Sequence, residues 1–383
     1  MGIYLDYNAT SPINSEVLDT MIYVYKNIIG NADSRTHNFG DDARKTVENA
    51  RKQVAELLNV NNDEIFFTSG ATESNNIAIQ GLREYANSSN KRHIITTSME
   101  HKSVLETVKH LESEGFEVDF INPDESGRIT VEQVENLLKD DTLLVSIMHV
   151  NNETGIIQPV QEIGDLLADK KILFHIDATQ SCGKLVEELQ NTKYNMLSFS
   201  AHKLQGPQGI GVLVLKKERY KLPPVKPIMY GGQQEKGISP GTTPVALVAG
   251  LGKACEIALQ NYKNNFKKNE IIKETILNVF SNSGLDYEFN GDQNFCINNT
   301  LNIAIKGVVA EALMLSSKEF CGISNGSACT SKSYSLSYVL KSMGLSDERI
   351  ESSIRISWGP NLDVEEIKSN IGELTTIAKN IAG

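Results

Sequence analysis

The sequence predicts an α/β fold in which a mostly parallel sheet carries helices on both faces. Short apolar or β-branched runs alternate with longer amphipathic segments from about residue 40 onward. Helical segments separate several of those runs, which is the order that parallel strands need. The chain also shows no internal repeat, low-complexity tract or long linker to interrupt one large folded unit.

In chain order, GDDARKTVENARKQVAELLNV places Ala43, Val47, Ala50, Val54, Leu57 and Leu58 at helical spacing. EIFFT reads as a short buried strand, and TSGATESNNIAIQGLREYA as a glycine turn that opens a helix. HIITTS is a strand and HKSVLETVKHLES a helix. FEVDFI, LLVSIMHV, ILFHID, MLSFS and GIGVLVL are further strands. QNYKNNFKKNEIIKETILNVF reads as a long helix with Ile271, Ile272, Ile276 and Val279 along one face. It is expected to join a large domain, residues 13–260, to a smaller α/β domain built from 1–12 with 261–383.

Composition narrows the function. At 383 residues, 40% hydrophobic and 22% charged, the chain is an ordinary globular protein with a large core. A net charge of −11 argues against a general nucleic-acid or anionic-membrane binder. No apolar run approaches the roughly 20 residues of a membrane span. The start, MGIYLDYNATSP, lacks the layout of a signal peptide. The five cysteines are scattered without a CxxC pair, so neither a disulfide framework nor a zinc site is indicated. A reducing, cytoplasmic compartment and no metal are the expectations.

Parallel sheets bind ligands beyond the carboxyl ends of their strands, so the residues that follow each strand matter most. After EIFFT comes Ser69-Gly70-Ala71-Thr72, whose small residues leave helix N–H groups open to a phosphate. Taken alone, it reads equally as a simple capped helix start. The other strand ends deliver His101, Asn152, Asp177, Gln180, Ser200, His202 and Lys203. Singly, each has an ordinary structural role. Together they supply a phosphate cradle, a carboxylate, a stacking imidazole and an amine. That set suits pyridoxal phosphate. A lysine amine condenses with the cofactor aldehyde. A carboxylate beside the pyridine nitrogen keeps it protonated, so that the ring accepts electrons from the substrate α-carbon. An imidazole stacks and moves protons, and amides bind the phenolic oxygen.

DATQ, SFSAHKLQGPQGIGV, TSGATESNN, SMEHKSV and MHVNNETG, in that company, resemble the cysteine desulfurases of the class V aminotransferase group. The resemblance runs from YLDYNATSP to SIRISWG. It implies the fold-type I pyridoxal phosphate architecture: a large domain with a mostly parallel seven-stranded sheet and a smaller C-terminal α/β domain. It also implies roles. Lys203 is the cofactor-binding lysine, and Asp177 the pyridine-nitrogen partner. Gln180 and Asn152 lie near the phenolic oxygen, and His101 is the stacking proton carrier. Ala71, Thr72, Ser200 and His202 belong to the phosphate site. Thr242, in PGTTPV, matches a threonine that the family contributes from the neighbouring subunit. Arg355, in SIRISWG, matches the arginine that holds the substrate carboxylate, for which a guanidinium fork is suited.

Cys329 stands in SNGSACTSKSYS, a segment with almost nothing to bury, although cysteine usually goes inside. The resemblance makes Cys329 the nucleophile that collects the substrate sulfur and passes it on. A polar, small-residue loop suits that task. The length of the segment up to SYVL matches the subgroup with a long catalytic loop. Cys182, Cys255, Cys296 and Cys321 lie in ordinary surroundings and read as structural. The chain departs from the family at Gln233-Gln234, where a glycine and histidine are usual, and at Ser239, where arginine is common.

The implied reaction converts L-cysteine to L-alanine. Arg355 holds the carboxylate, Lys203 removes the α-proton, and Cys329 takes the sulfur as a persulfide while His101 manages thiol protons. Partners implied are L-cysteine, a second copy in a homodimer, and a protein sulfur acceptor, with no membrane and no direct nucleic-acid contact. Iron–sulfur assembly, tRNA thiolation and DNA phosphorothioation are the candidate destinations, and the short end after the last helix favours phosphorothioation. Another class V enzyme, an aminotransferase or selenocysteine lyase, is the alternative.

Overall fold

The computed structural model describes residues 2–326 and 336–383. Among the described residues, twelve strands fall into three sheets. In chain order they are β1 (Ile3–Tyr4), β2 (Ile65–Thr68), β3 (His93–Thr97), β4 (Glu117–Ile121), β5 (Thr142–Met148) and β6 (Leu173–Asp177). There follow β7 (Met196–Ser200), β8 (Gly211–Leu215), β9 (Tyr287–Phe289), β10 (Thr300–Ile305), β11 (Cys321–Gly322) and β12 (Ser353–Ser357).

The main sheet has seven strands in the order β2-β8-β7-β6-β5-β3-β4, which are the seven runs expected. All pairings are parallel except those of β8, which runs antiparallel to β2 and β7. The inner strands are buried on both sides, which is why their sequences are continuous apolar runs. Side chains still alternate. Phe66, Ile94, Leu144, Met196 and Leu213 join one apolar cluster. Their neighbours Phe67, Ile95, Val145, Leu197 and Val212 join another on the opposite face. At the edge strand β4, Glu117 and Asp119 both bond Lys139 at 2.8 Å, and such charges discourage pairing with another sheet edge.

Helix Asn38–Leu58 buries all six residues that the spacing predicts. It stops at Asn59, whose left-handed φ of 53° an asparagine tolerates. The joining helix is longer than expected: it runs from Val245 to Ser283, 39 residues or about 58 Å. Its early turns are glycine-bearing because helix meets helix there; a Cβ on Gly252 would lie 2.6 Å from the Ala50 Cα. Val248, Leu251 and Cys255 enter the large core, whereas Ile272, Ile276 and Phe280 enter a second core. Ile271 corrects the expected face. It is 53% exposed, because neighbours on a helix stand 100° apart and Ile272 takes the buried direction.

The second core is closed by the antiparallel sheet β12-β10-β9 and helix Val364–Ala382. The N-terminus belongs to it, since β1 pairs with β11 and Ile3 and Leu5 are buried there. Val339, Leu340 and Met343 pack into the large cluster instead. No helix among the described residues is long and apolar enough to cross a membrane.

Candidate active site

The carboxyl ends of β2, β3, β5, β6 and β7 lie along one sheet edge, so the residues after them converge. The cleft there is lined by Ala71, Thr72, His101, Asn152, Asp177, Gln180, Ser200, His202 and Lys203, together with Arg355 from β12. Sequence reasoning therefore placed ten site residues together. Thr242 does not line the cleft of its own chain. It sits beside Ser239 in an adjoining pocket that shares Ser69, Glu73 and Gly209 with the cleft. Cys329 lies outside the described residues. Gly326, three positions earlier in the sequence, lines the cleft.

The phosphate cradle follows from β2. The strand ends at Thr68, Gly70 caps the next helix, and the helix starts at Ala71 with its first N–H groups facing the cleft mouth. Strand β8 must stay low beneath it. A Cβ on Gly211 would lie 2.6 Å from the Gly70 Cα, so only glycine fits. Ser200 and His202 close the far side. His202 Nδ1 lies 3.1 Å from Thr10 Oγ1, and burial next to the Lys203 charge pushes its imidazole down to about 4. It is a neutral hydrogen-bonding group at pH 7.

Asp177 ends β6 and is buried. Its two oxygens are aimed by different donors: Asn75 Nδ2 at 2.8 Å and the Thr179 N–H at 2.9 Å. His101 caps helix Lys102–Ser113, its Nδ1 accepting the Ser103 N–H at 3.2 Å. Burial holds the His101 imidazole below its ordinary value; Asp177 opposes and Lys203 adds to the depression. Lys203 ends the short turn after β7. Its Nζ donates to the carbonyls of Asn8 and of Ala9, the latter at 2.6 Å.

Arg355 is nearly fully buried in β12. One guanidinium nitrogen meets Asp6 Oδ1 at 2.5 Å and the other donates to the Asn152 carbonyl at 2.8 Å. Its Nε is buried without a partner among the described residues. The side-chain oxygens Asn152 Oδ1 and Gln180 Oε1, together with Thr179 Oγ1, are also buried and unpartnered among the described residues. Buried polar atoms are normally satisfied, so these atoms mark where a bound molecule completes the site. The set fits pyridoxal phosphate: an anion cradle at a helix start, a carboxylate for a protonated ring nitrogen, a primary amine, and unpartnered amides between them.

Sequence reasoning missed Asn8, Asn75 and Asp6, which hold these groups in place. Asn75 stands within TSGATESNN and Asn8 and Asp6 within YLDYNATSP, so the motifs marked their neighbourhood but not their targets. Burial pushes the Cys296 thiol up to about 11 and that of Cys321 to about 12, and raises Cys182 and Cys255 as well. None of the four favours a thiolate. At the departures from the family pattern, Gln234 Nε2 donates to Asp33 at 2.7 Å and Ser239 Oγ donates to Glu73 at 2.7 Å, while the neighbouring Glu235 accepts two bonds from Arg51 at 2.8 Å.

Residues 3–369 match the family model described as aminotransferase class-V. The chain is 44% identical over 378 residues to the cysteine desulfurase IscS of Shewanella sp. (strain MR-4), covering 98% of this chain and 92% of that protein. Among solved structures, a NifS-like protein superposes with a TM-score of 0.90 at 34% identity, covering 99% of this chain and all of that one. SspA in complex with cysteine gives a TM-score of 0.81 at 34% identity, covering 93% and 99%.

Proposed function

We propose, for a chain that belongs to the aminotransferase class-V family and is a pyridoxal phosphate-dependent cysteine desulfurase, that Cys329 receives the sulfur of L-cysteine in the cleft held by Lys203, Asp177, His101 and Arg355. The observation that carries the reading is the convergence of that amine, carboxylate, imidazole and guanidinium beside one helix start. The cysteine bound by the similar SspA supports the choice of substrate.

When bound, the cofactor supplies an aldehyde for an amine and a ring that accepts electrons. Thr72, Ser200, His202 and the N–H groups from Ala71 onward hold its phosphate. Asp177, fixed by Asn75, keeps its ring nitrogen protonated. Asn152 and Gln180 offer amides to its phenolic oxygen. Lys203 is the amine that would hold the aldehyde and, once the substrate amine has displaced it, the base that would take the α-proton. Arg355 binds the substrate carboxylate through donors left over from Asp6 and Asn152. His101, neutral because it is buried, accepts the thiol proton. Cys329 then forms an S–S bond to the substrate sulfur as its C–S bond breaks, and the former Cβ ends as the methyl group of alanine. Sulfur is oxidised to the persulfide level and that carbon is reduced, so the step balances without an outside redox agent.

The enzyme works as a cytoplasmic homodimer. Leu18, Ile22 and Tyr25 form an exposed apolar stripe on helix Ser15–Asn27, and Thr242 lines a pocket beside the cleft rather than the cleft itself; both support this reading. A protein acceptor takes the persulfide sulfur, for iron–sulfur assembly, tRNA thiolation or DNA phosphorothioation.

The test is incubation of the cofactor-loaded protein with L-cysteine. Equimolar alanine and persulfide are expected, and Cys329→Ser should stop both while leaving the visible absorbance intact. Keto acid in place of alanine would make it a different class V enzyme. Full turnover by Cys329→Ser would remove the thiol from the mechanism.

A further inference from the structure

We propose that Glu153 is a positioning residue for sulfur transfer: its buried carboxyl joins the two chain ends that carry the Cys329 segment, and so sets where that thiol acts. The inference rests on the desulfurase reading and names a residue which that reading does not use. Residues 327–335 connect two ends that belong to different cores. At one end, Ser324 is bonded to Arg355 through both main-chain groups, at 3.2 and 2.5 Å, and so hangs from β12. At the other, Val339 and Leu340 are packed in the large cluster, and Tyr338 Oη donates to the Glu100 carbonyl at 2.7 Å. Glu153 touches both ends. Its Oε2 accepts the Ser337 hydroxyl at 2.5 Å. A Cβ on Gly326 would lie 3.1 Å from its Cγ and its Oε2, at a φ of 87° that favours glycine.

The geometry of this staple is specific. Glu153 is 2% exposed, a depth that carboxyl groups seldom reach. Burial raises its carboxyl above the ordinary value, and the Ser337 hydroxyl, Arg355 and Lys102 oppose that rise. Ser337 Oγ accepts the Leu340 N–H at 3.1 Å, which caps helix Tyr338–Ser342 and leaves its one proton for Glu153. The backbone of Glu153 is fixed as well. Its N–H donates to Asn151 Oδ1 at 2.8 Å, and its carbonyl accepts from Asn302 Nδ2 on β10 at 3.0 Å. The preceding residue, Asn152, lines the cleft. The stretch after β5 therefore places a wall of the cleft and, one residue later, the separation of the two ends. For a segment of given length, that separation governs what its middle can reach.

The test reads steady-state alanine formation from L-cysteine by the cofactor-loaded full chain. Glu153→Leu should lower kcat by roughly 10- to 100-fold, the scale of a misplaced reacting group. KM should stay within about twofold of the parent, with the visible absorbance unchanged. Glu153→Gln keeps an oxygen acceptor for Ser337 and should hold kcat within about threefold of the parent. Ser337→Ala should reproduce the loss, and the double variant should fall no further than the worse single one. Ser337→Ala carries the test if Glu153→Leu does not fold. Alkylation of Cys329 by iodoacetamide should be as fast in Glu153→Leu as in the parent, because the thiol is intact and only its placement is lost. Parent-like kcat in both single variants would overturn the proposal. So would a raised KM with kcat unchanged, additive losses, no rescue by glutamine, or slowed alkylation. Those outcomes leave the desulfurase reading standing, whereas turnover that does not need Cys329 removes both.

Discussion

Arg355→Lys separates a substrate clamp from a structural pillar. The guanidinium already spends one nitrogen on Asp6 at 2.5 Å and another on the Asn152 carbonyl at 2.8 Å. Its planar fork still has N–H groups to give, including the buried Nε, unpartnered among the described residues. Lysine keeps the charge, so Asp6 is not left alone in a buried place, where a broken pair would cost about 3–5 kcal/mol. Three donors on one nitrogen cannot serve Asp6, the carbonyl and a substrate carboxylate with the same geometry. Losing one charge-assisted hydrogen bond costs about 1.5–3 kcal/mol, or roughly 10- to 150-fold in affinity. The expected result is a KM for L-cysteine raised by that factor, with kcat changed much less and the visible absorbance unaltered. Steady-state rates across a range of cysteine concentrations measure this, with urea unfolding of the same variant as a control. An unchanged KM combined with a lowered unfolding midpoint would make Arg355 a pillar between β12 and the N-terminal segment and refute its role as a clamp.

Lys203→Ala should abolish the visible absorbance of the loaded protein and all turnover, with far-UV circular dichroism unchanged. Asn75→Leu removes the donor on Asp177 Oδ2 and should weaken cofactor binding by roughly 5- to 150-fold, the worth of about 1–3 kcal/mol for a buried acceptor left unmet, as read by equilibrium dialysis. His101 is held below its ordinary value by burial, so its neutral form persists at mildly acidic pH; kcat/KM should fall on acidification only below about pH 6.5. The stability His101 contributes is present above that ordinary value and is lost as pH falls through the lowered one. Glu100 has the opposite sign. Burial raises its carboxyl to about 8, so its contribution is full below the usual carboxylate range and is lost as pH rises through 8. Glu100→Gln, which cannot ionise, should therefore be more stable than the parent at pH 9 by thermal unfolding, and the advantage should vanish at pH 5.

The sequence made the sheet and the site edge legible because both depend on short-range pattern. An inner parallel strand must be apolar on both faces, so ILFHID and MLSFS declare themselves, and the residues after them are fixed at the sheet edge by topology alone. The joining helix shows the limit. Periodicity over Ile271, Ile272 and Ile276 is satisfied by two adjacent faces, and only the position of the second core selects Ile272 over Ile271. The start of that helix at Val245 was hidden by Gly250 and Gly252, which weaken a local helix reading while serving close helix contact. Asp6, Asn8 and Asn75 were illegible as site residues for a different reason. They act on other side chains through folds of the chain that no spacing records.

Those residues also show how the cleft is held as one piece. The Asn8 carbonyl accepts from Gln180 Nε2 at 3.0 Å and from Lys203, its side chain donates to the Asn152 carbonyl at 3.2 Å and to Thr300 at 3.0 Å, and its N–H donates to Ser357 Oγ at 2.9 Å. One residue therefore ties three strand ends of the large sheet to β10 and β12 of the second core. Asp6 adds the guanidinium of Arg355 to the same knot. The amine that holds the cofactor and the arginine that orients the substrate consequently share their supports. A shift between the two cores would move the substrate carboxylate and the Lys203 amine together. That makes the N-terminal segment, rather than either core, the part of the chain that sets their separation.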